Sequence, residues 1–265
     1  MSTGLINRLK WQNAILVNGS SEHNDFSVKS GDVITVLLDE PAPEYPAEPG
    51  ELAVIYEDEH LLAVDKPAGM LIHPSRSCNT GTLANRVAGY YQKTNQSSAF
   101  HPVTRLDRDT YGIVLLAKNS HMHMLLQNTS IQKTYHAITF GAPPTDSGKV
   151  DAPIARRPLP SLLREIREDG KPCLTEYTVL FRDGNCAKLA LRPITGRTHQ
   201  LRLHCAHIGC PILGDPQYGS LQSMAYSQAL GLRSQLLCAV SLEFVHPISG
   251  TPLSLRSHMD AAIDP

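Results

Sequence analysis

Ten residues near the start of the chain limit its architecture more than any other feature. From Pro41 to Gly50 the sequence runs Pro-Ala-Pro-Glu-Tyr-Pro-Ala-Glu-Pro-Gly, with four prolines and two glutamates. Each proline fixes φ at about −65° and removes a backbone donor, so the stretch can join neither a helix interior nor a central strand. It predicts a semi-rigid, extended linker. The 265 residues then divide into a small N-terminal unit (1–40), the linker (41–51) and a body (52–265). The body is long enough to bury one substantial core.

Within the body, short apolar runs alternate with turn signals. Strands are expected at Ala53 to Tyr56 and His60 to Asp65, turning through Glu57-Asp58-Glu59. Thr82 to Lys93 places Leu83, Val87 and Tyr90 or Tyr91 on one side of a helix. Gly112 to Ala117 suits a buried strand, Ser120 to Thr129 a helix, and Lys133 to Phe140 an alternating strand. Asp183-Gly184-Asn185 is a strong hairpin signal between Thr175 to Phe181 and Ala187 to Leu191. Leu236 to Val245 reads as the last strand. Strands joined mostly by turns, with helices interspersed irregularly, predict an α+β fold with a mainly antiparallel or mixed sheet, not a doubly wound one.

The N-terminal unit has a short basic helix candidate at Leu5 to Trp11, a strand from Ala14 to Val17, the turn Asn18-Gly19, and a second strand from Val33 to Leu38. This order partly resembles a small RNA-binding module first described in a ribosomal small-subunit protein, with little room for that module's first helix. A plain β-hairpin cap fits the same residues.

The net charge of −1 hides an asymmetry. Residues 1–65 carry 3 basic against 12 acidic residues, 66–210 carry 19 against 9, and 211–265 carry 2 against 4. Local charge governs within a Debye length of ~8–10 Å, so the basic middle segment fits phosphate binding, although unevenly spread surface charge gives the same count. Six cysteines without a C-x-x-C pair favour a reducing compartment over a disulfide framework or a zinc knuckle. No apolar run approaches the ~18–20 residues of a bilayer span, and Met1 to Lys10 is too polar for a secretory core. A cytoplasmic protein is expected.

Three segments carry chemistry: Val103 to Gly112, with Arg105, Asp107, Arg108 and Asp109 before the buried strand; Lys133-Thr134-Tyr135-His136-Ala137; and Thr195 to His204, continuing to Leu213-Gly214-Asp215-Pro216. The third predicts a helix with Thr198 as N-cap, Leu201, Cys205 and Ile208 on one face, and Gly209 then Pro211 ending it. Arg197 and His199 stand at its start, where the helix dipole attracts anions, and Arg202 projects one turn beyond His199.

Taken together, "RLDRDTYG", "KTYHAITFG" and "TGRTHQLRLH…GCPILGDPQYG" resemble the signature segments of RluA/RluD-type pseudouridine synthases. "YEDEHLLAVDKPAGMLIHP" matches that family's opening hairpin. The likeness covers about residues 52–245, in the family's order and spacing. It implies the pseudouridine synthase fold and an isomerase that cuts the glycosidic bond of a uridine in RNA, turns the uracil and rejoins it through carbon. Reactant and product have the same atoms, so no cofactor, nucleotide or metal is implied. The partner is RNA, with ribosomal RNA (the large subunit above all) favoured by the N-terminal unit and transfer RNA the alternative.

By the same resemblance Asp107 is the nucleophile or base, and attack on the base, attack on the sugar and removal of a ribose proton are all open to it. A carboxylate in a dry pocket tends to take up a proton unless a cation opposes it; Arg202 matches that cation. Tyr135 matches the active-site tyrosine, able to stack on uracil and, through its hydroxyl, to assist removal of the proton from carbon 5, a core tyrosine on a strand being the competing role. Arg105 matches the residue that fills the space of an everted base, a phosphate contact or structural ion pair being the competing role. Leu201 matches a position packing against the base, or serves the core alone. With Arg197 and His199 these form the substrate-binding set. Thr104 and Tyr111 depart from the histidine and serine common at those positions.

Two rivals are weaker. His199, His204 and His207 do not share one helix face and no H-E-x-x-H pattern occurs, which argues against a metal-dependent hydrolase. A non-catalytic RNA-binding relative has no use for a carboxylate aimed at phosphates. Nucleotide-binding glycine motifs are absent.

Overall fold

A computed structural model describes residues 3–22, 26–37, 45–75, 78–161 and 163–260. The N-terminal unit has helix α1 (Thr3–Trp11) and a three-stranded sheet of β1 (Ile15–Val17), β2 (Ser20–Ser21) and β3 (Ile34–Val36), ordered β2-β1-β3. Asn18 and Gly19 both adopt positive φ, 50° and 86°, as the tight β1–β2 turn requires. The first residues of the expected linker, 41–44, lie outside the described residues, as do Leu38 and 261–265. Residues 45–50 have no regular structure but lie against the body: Glu48 N–H donates to Asn85 O at 3.0 Å, and Asn85 Nδ2 to Pro46 O at 2.9 Å.

The body opens with the hairpin β4 (Ala53–Glu57) and β5 (Leu61–Lys66), followed by α2 (Leu83–Lys93), β6 (His101–Pro102), β7 (Tyr111–Ala117), α3 (Ser120–Gln127) and β8 (Gln132–Phe140). Then come β9 (Ser147–Asp151), the small pair β10 (Ile154–Arg156) and β11 (Arg164–Ile166), and the hairpin β12 (Leu174–Asp183) and β13 (Cys186–Pro193). Helices α4 (Gln200–His207) and α5 (Leu221–Ala229) precede β14 (Leu237–Val245) and β15 (Pro252–Arg256). Ten of these strands form one mixed sheet along the path β4-β5-β7-β14-β8-β13-β12-β9, with β6 on β7 and β15 on β14. Its pairings are antiparallel except β14 with β7.

The apolar run of β7 is explained by burial on both faces, since successive side chains point to opposite sides. Val114 and Leu116 join Leu62 and Val64 beneath α2, whose Leu83, Val87 and Tyr91 close that core. Ile113, Leu115 and Ala117 face the other way, against Met122 and Leu126 of α3. Helix α2 starts with a capping box: Thr82 Oγ1 accepts from Asn85 N–H, and Asn85 Oδ1 accepts from Thr82 N–H. Such a cap contributes about 1 kcal/mol. At the other end of the sheet, α4 lays Leu201 and Cys205 onto Tyr177, Leu189 and Leu191.

Three differences from the sequence-based expectation have plain causes. The strand from Leu237 is not the last, because β15 pairs with β14 along Ser241 to Val245; β15 buries only Leu255, so it carries little apolar pattern. Helix α5 buries Ser223 and Ser227 and exposes Leu221, which inverts the usual periodicity. The N-cap of α4 is His199, not Thr198, as described below.

The one parallel pairing among the described residues, β14 with β7, starts at Tyr111, just after the segment that carries Asp107. Gly112 has φ 104° and faces Ala239 so closely that a Cβ would collide with the Ala239 backbone carbonyl and amide. Gly112→Ala is expected to destabilise the fold by about 2–4 kcal/mol, measured by urea unfolding. A change below about 0.5 kcal/mol would show that the β7–β14 contact is not tight.

Candidate active site

The two cores meet at Tyr135. It lies on β8, paired with Leu191 of β13 and Ala239 of β14, and packs against both the α2 core and the α4 core. Above it opens a cleft of about 680 Å³, lined by Asp107, Tyr135 and Arg202 and, around them, by Arg105, Arg197, His199 and Leu201. All seven residues singled out from the sequence therefore share one cavity. A second cleft of about 780 Å³, beside residues 47–53 and the end of α2, has no such carboxylate–guanidinium pair in its lining.

The loop bearing Asp107 is pinned on several sides. Leu106 is buried in the α2 core, and the Thr110 N–H donates to Asp107 O at 3.2 Å, closing a turn. Thr110 Oγ1 accepts from Gln235 Nε2 at 2.6 Å. Lys66, wholly buried at the end of β5, donates Nζ to the carbonyls of Pro67 (2.8 Å), Met70 (3.0 Å) and Arg108 (2.9 Å). Burial pulls the Lys66 pKa down to about 8, against the pull of Asp109 and Asp107. Thr104 is buried with its hydroxyl accepting from Leu115 N–H, and Tyr111 turns to the opposite side, bonding Ser234 Oγ at 2.8 Å. Thr104 thus packs beside the loop, and Tyr111 packs against the core of Ile138, Leu213 and Cys238.

Helix α4 brings the cation. Its N-cap, His199, has φ 58° and makes no side-chain cap, a left-handed conformation costing about 1 kcal/mol for a residue with a Cβ. Gln200 instead organises the turn: its Oε1 accepts from Thr195 Oγ1 and Arg197 N–H, and its Nε2 donates to Leu174 O and Thr175 Oγ1. Arg197 itself stays exposed at the rim, as does Arg105. Leu201 serves core and cleft at once, buried against β12 and β13 while lining the cavity. His204 is not turned to the cleft; its nitrogens meet Thr175 Oγ1 (2.9 Å) and Ala152 O (3.0 Å) in the interior.

Arg202 is the centre of the charge network. Nε donates to Asp215 Oδ2 and Nη2 to Asp215 Oδ1, each at 2.7 Å, while Nη2 also reaches Gln217 Oε1 at 2.8 Å. The remaining terminal nitrogen, Nη1, donates to Asp107 Oδ2 at 3.2 Å. The side chains of Arg202 and Asp215 are 6% and 1% exposed, whereas that of Asp107 is 31% exposed and borders the cleft. The Tyr218 ring supports the guanidinium from one face, 4.9 Å from its central carbon. Burial works against the Arg202 charge, but Asp215 and then Asp107 outweigh it and raise its pKa. For Tyr135, burial first and the Asp107 charge second raise the hydroxyl above its usual range. Asp215, Gln217 and Tyr218 were not assigned from sequence; the quoted "LGDPQYG" contains all three, but only folding reveals that Asp215 faces Arg202.

Arg202 is thus a buried cation fixed by one fully desolvated carboxylate, with its last arm extended to a second carboxylate at the cleft. That arrangement holds one oxygen of Asp107 and leaves Oδ1 without a hydrogen bond among the described residues. The sequence pattern of the RNA pseudouridylate synthase family matches residues 60–207. The chain belongs to that family, and as an RNA pseudouridine synthase it is an isomerase acting on RNA.

Its relatives include a Bacillus subtilis protein named uncharacterized RNA pseudouridine synthase YjbO, 35% identical over 248 residues, covering 91% of this chain and 84% of that one. Ribosomal large subunit pseudouridine synthase D of Zymomonas mobilis is 37% identical over 248 residues, covering 88% and 78% respectively. The structure of human RNA Pseudouridylate Synthase Domain Containing 1 shares the fold, with TM-score 0.63 at 23% identity over 80% of this chain and 91% of that one.

Asp215→Ala leaves Arg202 buried without its bidentate partner. It is expected to destabilise the protein by about 3–5 kcal/mol, read from thermal unfolding. Asp215→Asn, which keeps an acceptor, is expected to cost less. Equal stability of all three proteins would contradict the network as described.

Proposed function

We propose that this enzyme converts a specific uridine of large-subunit ribosomal RNA to pseudouridine, with Asp107 as the reacting carboxylate. The C1′–N1 bond breaks, the uracil turns within the cleft, and a C1′–C5 bond forms; the proton lost from C5 is balanced by one gained at N1. Asp107 Oδ1 is the atom that reacts, as nucleophile or base, because Oδ2 is already held by Arg202. One observation carries this assignment: on a residue that lines the cavity, one carboxylate oxygen is committed to a fixed cation and the other has no hydrogen bond among the described residues.

Tyr135 stacks on the uracil face and holds its proton, which suits a hydroxyl whose ionisation is suppressed by burial. Leu201 packs against the same base. Arg105, exposed at the rim, enters the stack vacated by the everted nucleotide and offsets part of the few kcal/mol that eversion costs. Arg197 binds phosphate at the cleft mouth. Residues 52–265 form the catalytic domain, and 1–40 an RNA-binding module that extends contacts beyond the active site, joined through 41–51. Large-subunit ribosomal RNA is supported by relatives named for that substrate and by the basic middle of the chain. The chemistry draws on no cofactor, and among the described residues no helix is long and apolar enough to cross a membrane; we place the enzyme in the cytoplasm with its RNA.

Asp107→Asn and Asp107→Ala are expected to abolish pseudouridine formation, a loss of at least 10³-fold, while RNA affinity in a filter-binding assay changes less than about threefold. Deleting the gene and mapping pseudouridines by chemical labelling and primer extension names the site. Loss of one ribosomal pseudouridine supports the proposal, loss of a transfer RNA pseudouridine replaces its substrate, and an unchanged map refutes the activity in the cell.

A further inference from the structure

His199 is a cleft residue whose ring is held at both ends. Nδ1 lies 2.6 Å from Tyr218 Oη, and Nε2 lies 3.8 Å from Asp107 Oδ2. Tyr218 Oη also accepts the backbone N–H of Arg164 at 3.0 Å. A phenol carries one proton, and among the described residues Nδ1 is the acceptor within its reach. The proton is therefore donated to Nδ1, which makes Nδ1 the bare nitrogen of a neutral imidazole. The ring's own proton is then on Nε2, the nitrogen facing the Asp107 carboxylate; the tautomer follows from counting donors and acceptors.

The backbone points the same way. Four non-glycine residues among those described have positive φ, and the other three are asparagines, a side chain that tolerates this region well. At position 199 the left-handed turn swings a ring from the helix start back over Asp107. The charged and titratable groups facing it are Asp107 from the loop before β7, Arg202 of its own helix, Arg164 of β11, and Asp215 and Tyr218 after α4. Burial, joined by Arg202 and Arg164, keeps the ring's pKa below its usual value against the opposing pull of Asp107 and Asp215.

We propose that His199 is a positioning residue for Asp107: Tyr218 fixes its tautomer, and its Nε2–H, together with Arg202, holds Oδ2 so that Oδ1 stays turned toward the uridine. The inference rests on the reading of Asp107 given above. At 3.8 Å the contact is electrostatic, and it tightens to a hydrogen bond when a base fills the cleft. Protonation at acid pH puts a second N–H against the Tyr218 hydroxyl and breaks the arrangement, so activity falls as pH drops through the depressed pKa of the ring.

The test is the rate and pH profile of pseudouridine formation on an unmodified transcript of large-subunit ribosomal RNA, from about pH 5 to 9. Tyr218→Phe keeps the ring under Arg202 but removes the hydroxyl; kcat is expected to fall about tenfold with KM unchanged, and the acid limb to move to higher pH. His199→Ala is expected to lose about 10- to 100-fold in kcat. His199→Gln, which offers an uncharged N–H donor, should recover part of that loss and lack the histidine acid limb. The inference is overturned if His199→Ala and Tyr218→Phe keep the original kcat and pH profile, if they raise KM alone, or if His199→Gln is no better than His199→Ala. Asp107→Asn in the same assay separates the two levels: activity there refutes the reading of Asp107 itself, whereas inactivity with unaffected 199 and 218 variants refutes only the positioning role.

Discussion

One guanidinium shared between two carboxylates is the interaction on which the site depends. Arg202 is nearly buried, and a buried cation is tolerable only with a partner of matching geometry. Asp215 provides that partner through two parallel hydrogen bonds, which fix the plane of the guanidinium as well as its charge. With that plane fixed, the N–H bonds of Nη1 lie in it, and one of them donates to Asp107 Oδ2. Lysine has no equivalent fork. The carboxylate at the cleft is consequently oriented from behind, by a group that is itself held by Asp215.

The fold supplies the two sides of this contact from different cores. Asp107 arrives on a loop anchored to the α2 half of the sheet through Leu106 and Lys66. Arg202 arrives on a helix packed on the other half through Leu201 and Cys205. The sheet is continuous between them, with Tyr135 in the seam, so the relative position of carboxylate and guanidinium is set by strand pairing across β7, β14 and β8. The parallel β7–β14 contact at Gly112 brings those halves close. A family motif written in three separate segments therefore becomes one cavity, because the sheet order differs from the chain order.

Much of this was legible in the sequence. The buried strand expected at Gly112 to Ala117, the helix expected at Thr82 to Lys93 and the hairpin at Gly184 follow from an apolar run, one-sided apolar spacing and a turn, all local signals. The Thr82–Asn85 capping box is seen only in the structure. The seven site residues were legible only through the family resemblance, since an arginine and an aspartate 95 residues apart carry no local mark of meeting. What escaped has a common physical character. Helix α5 buries serines that bond to one another and to Gly214, so hydrophobic periodicity is silent there. Asp215 and Tyr218 matter through a partner distant in sequence. The start of α4 is set by the Gln200 side chain and a left-handed His199, whereas propensity favours a threonine cap.

The central claim is that one planar cation must serve both carboxylates at once. It is tested most directly by the single-turnover rate of pseudouridine formation in Arg202→Lys, alongside a melting curve showing that the variant is folded. The account predicts a folded protein slowed by at least about 100-fold, because an ammonium held by Asp215 cannot also reach Asp107 in a fixed direction. A folded lysine variant working within twofold of the original rate would contradict it.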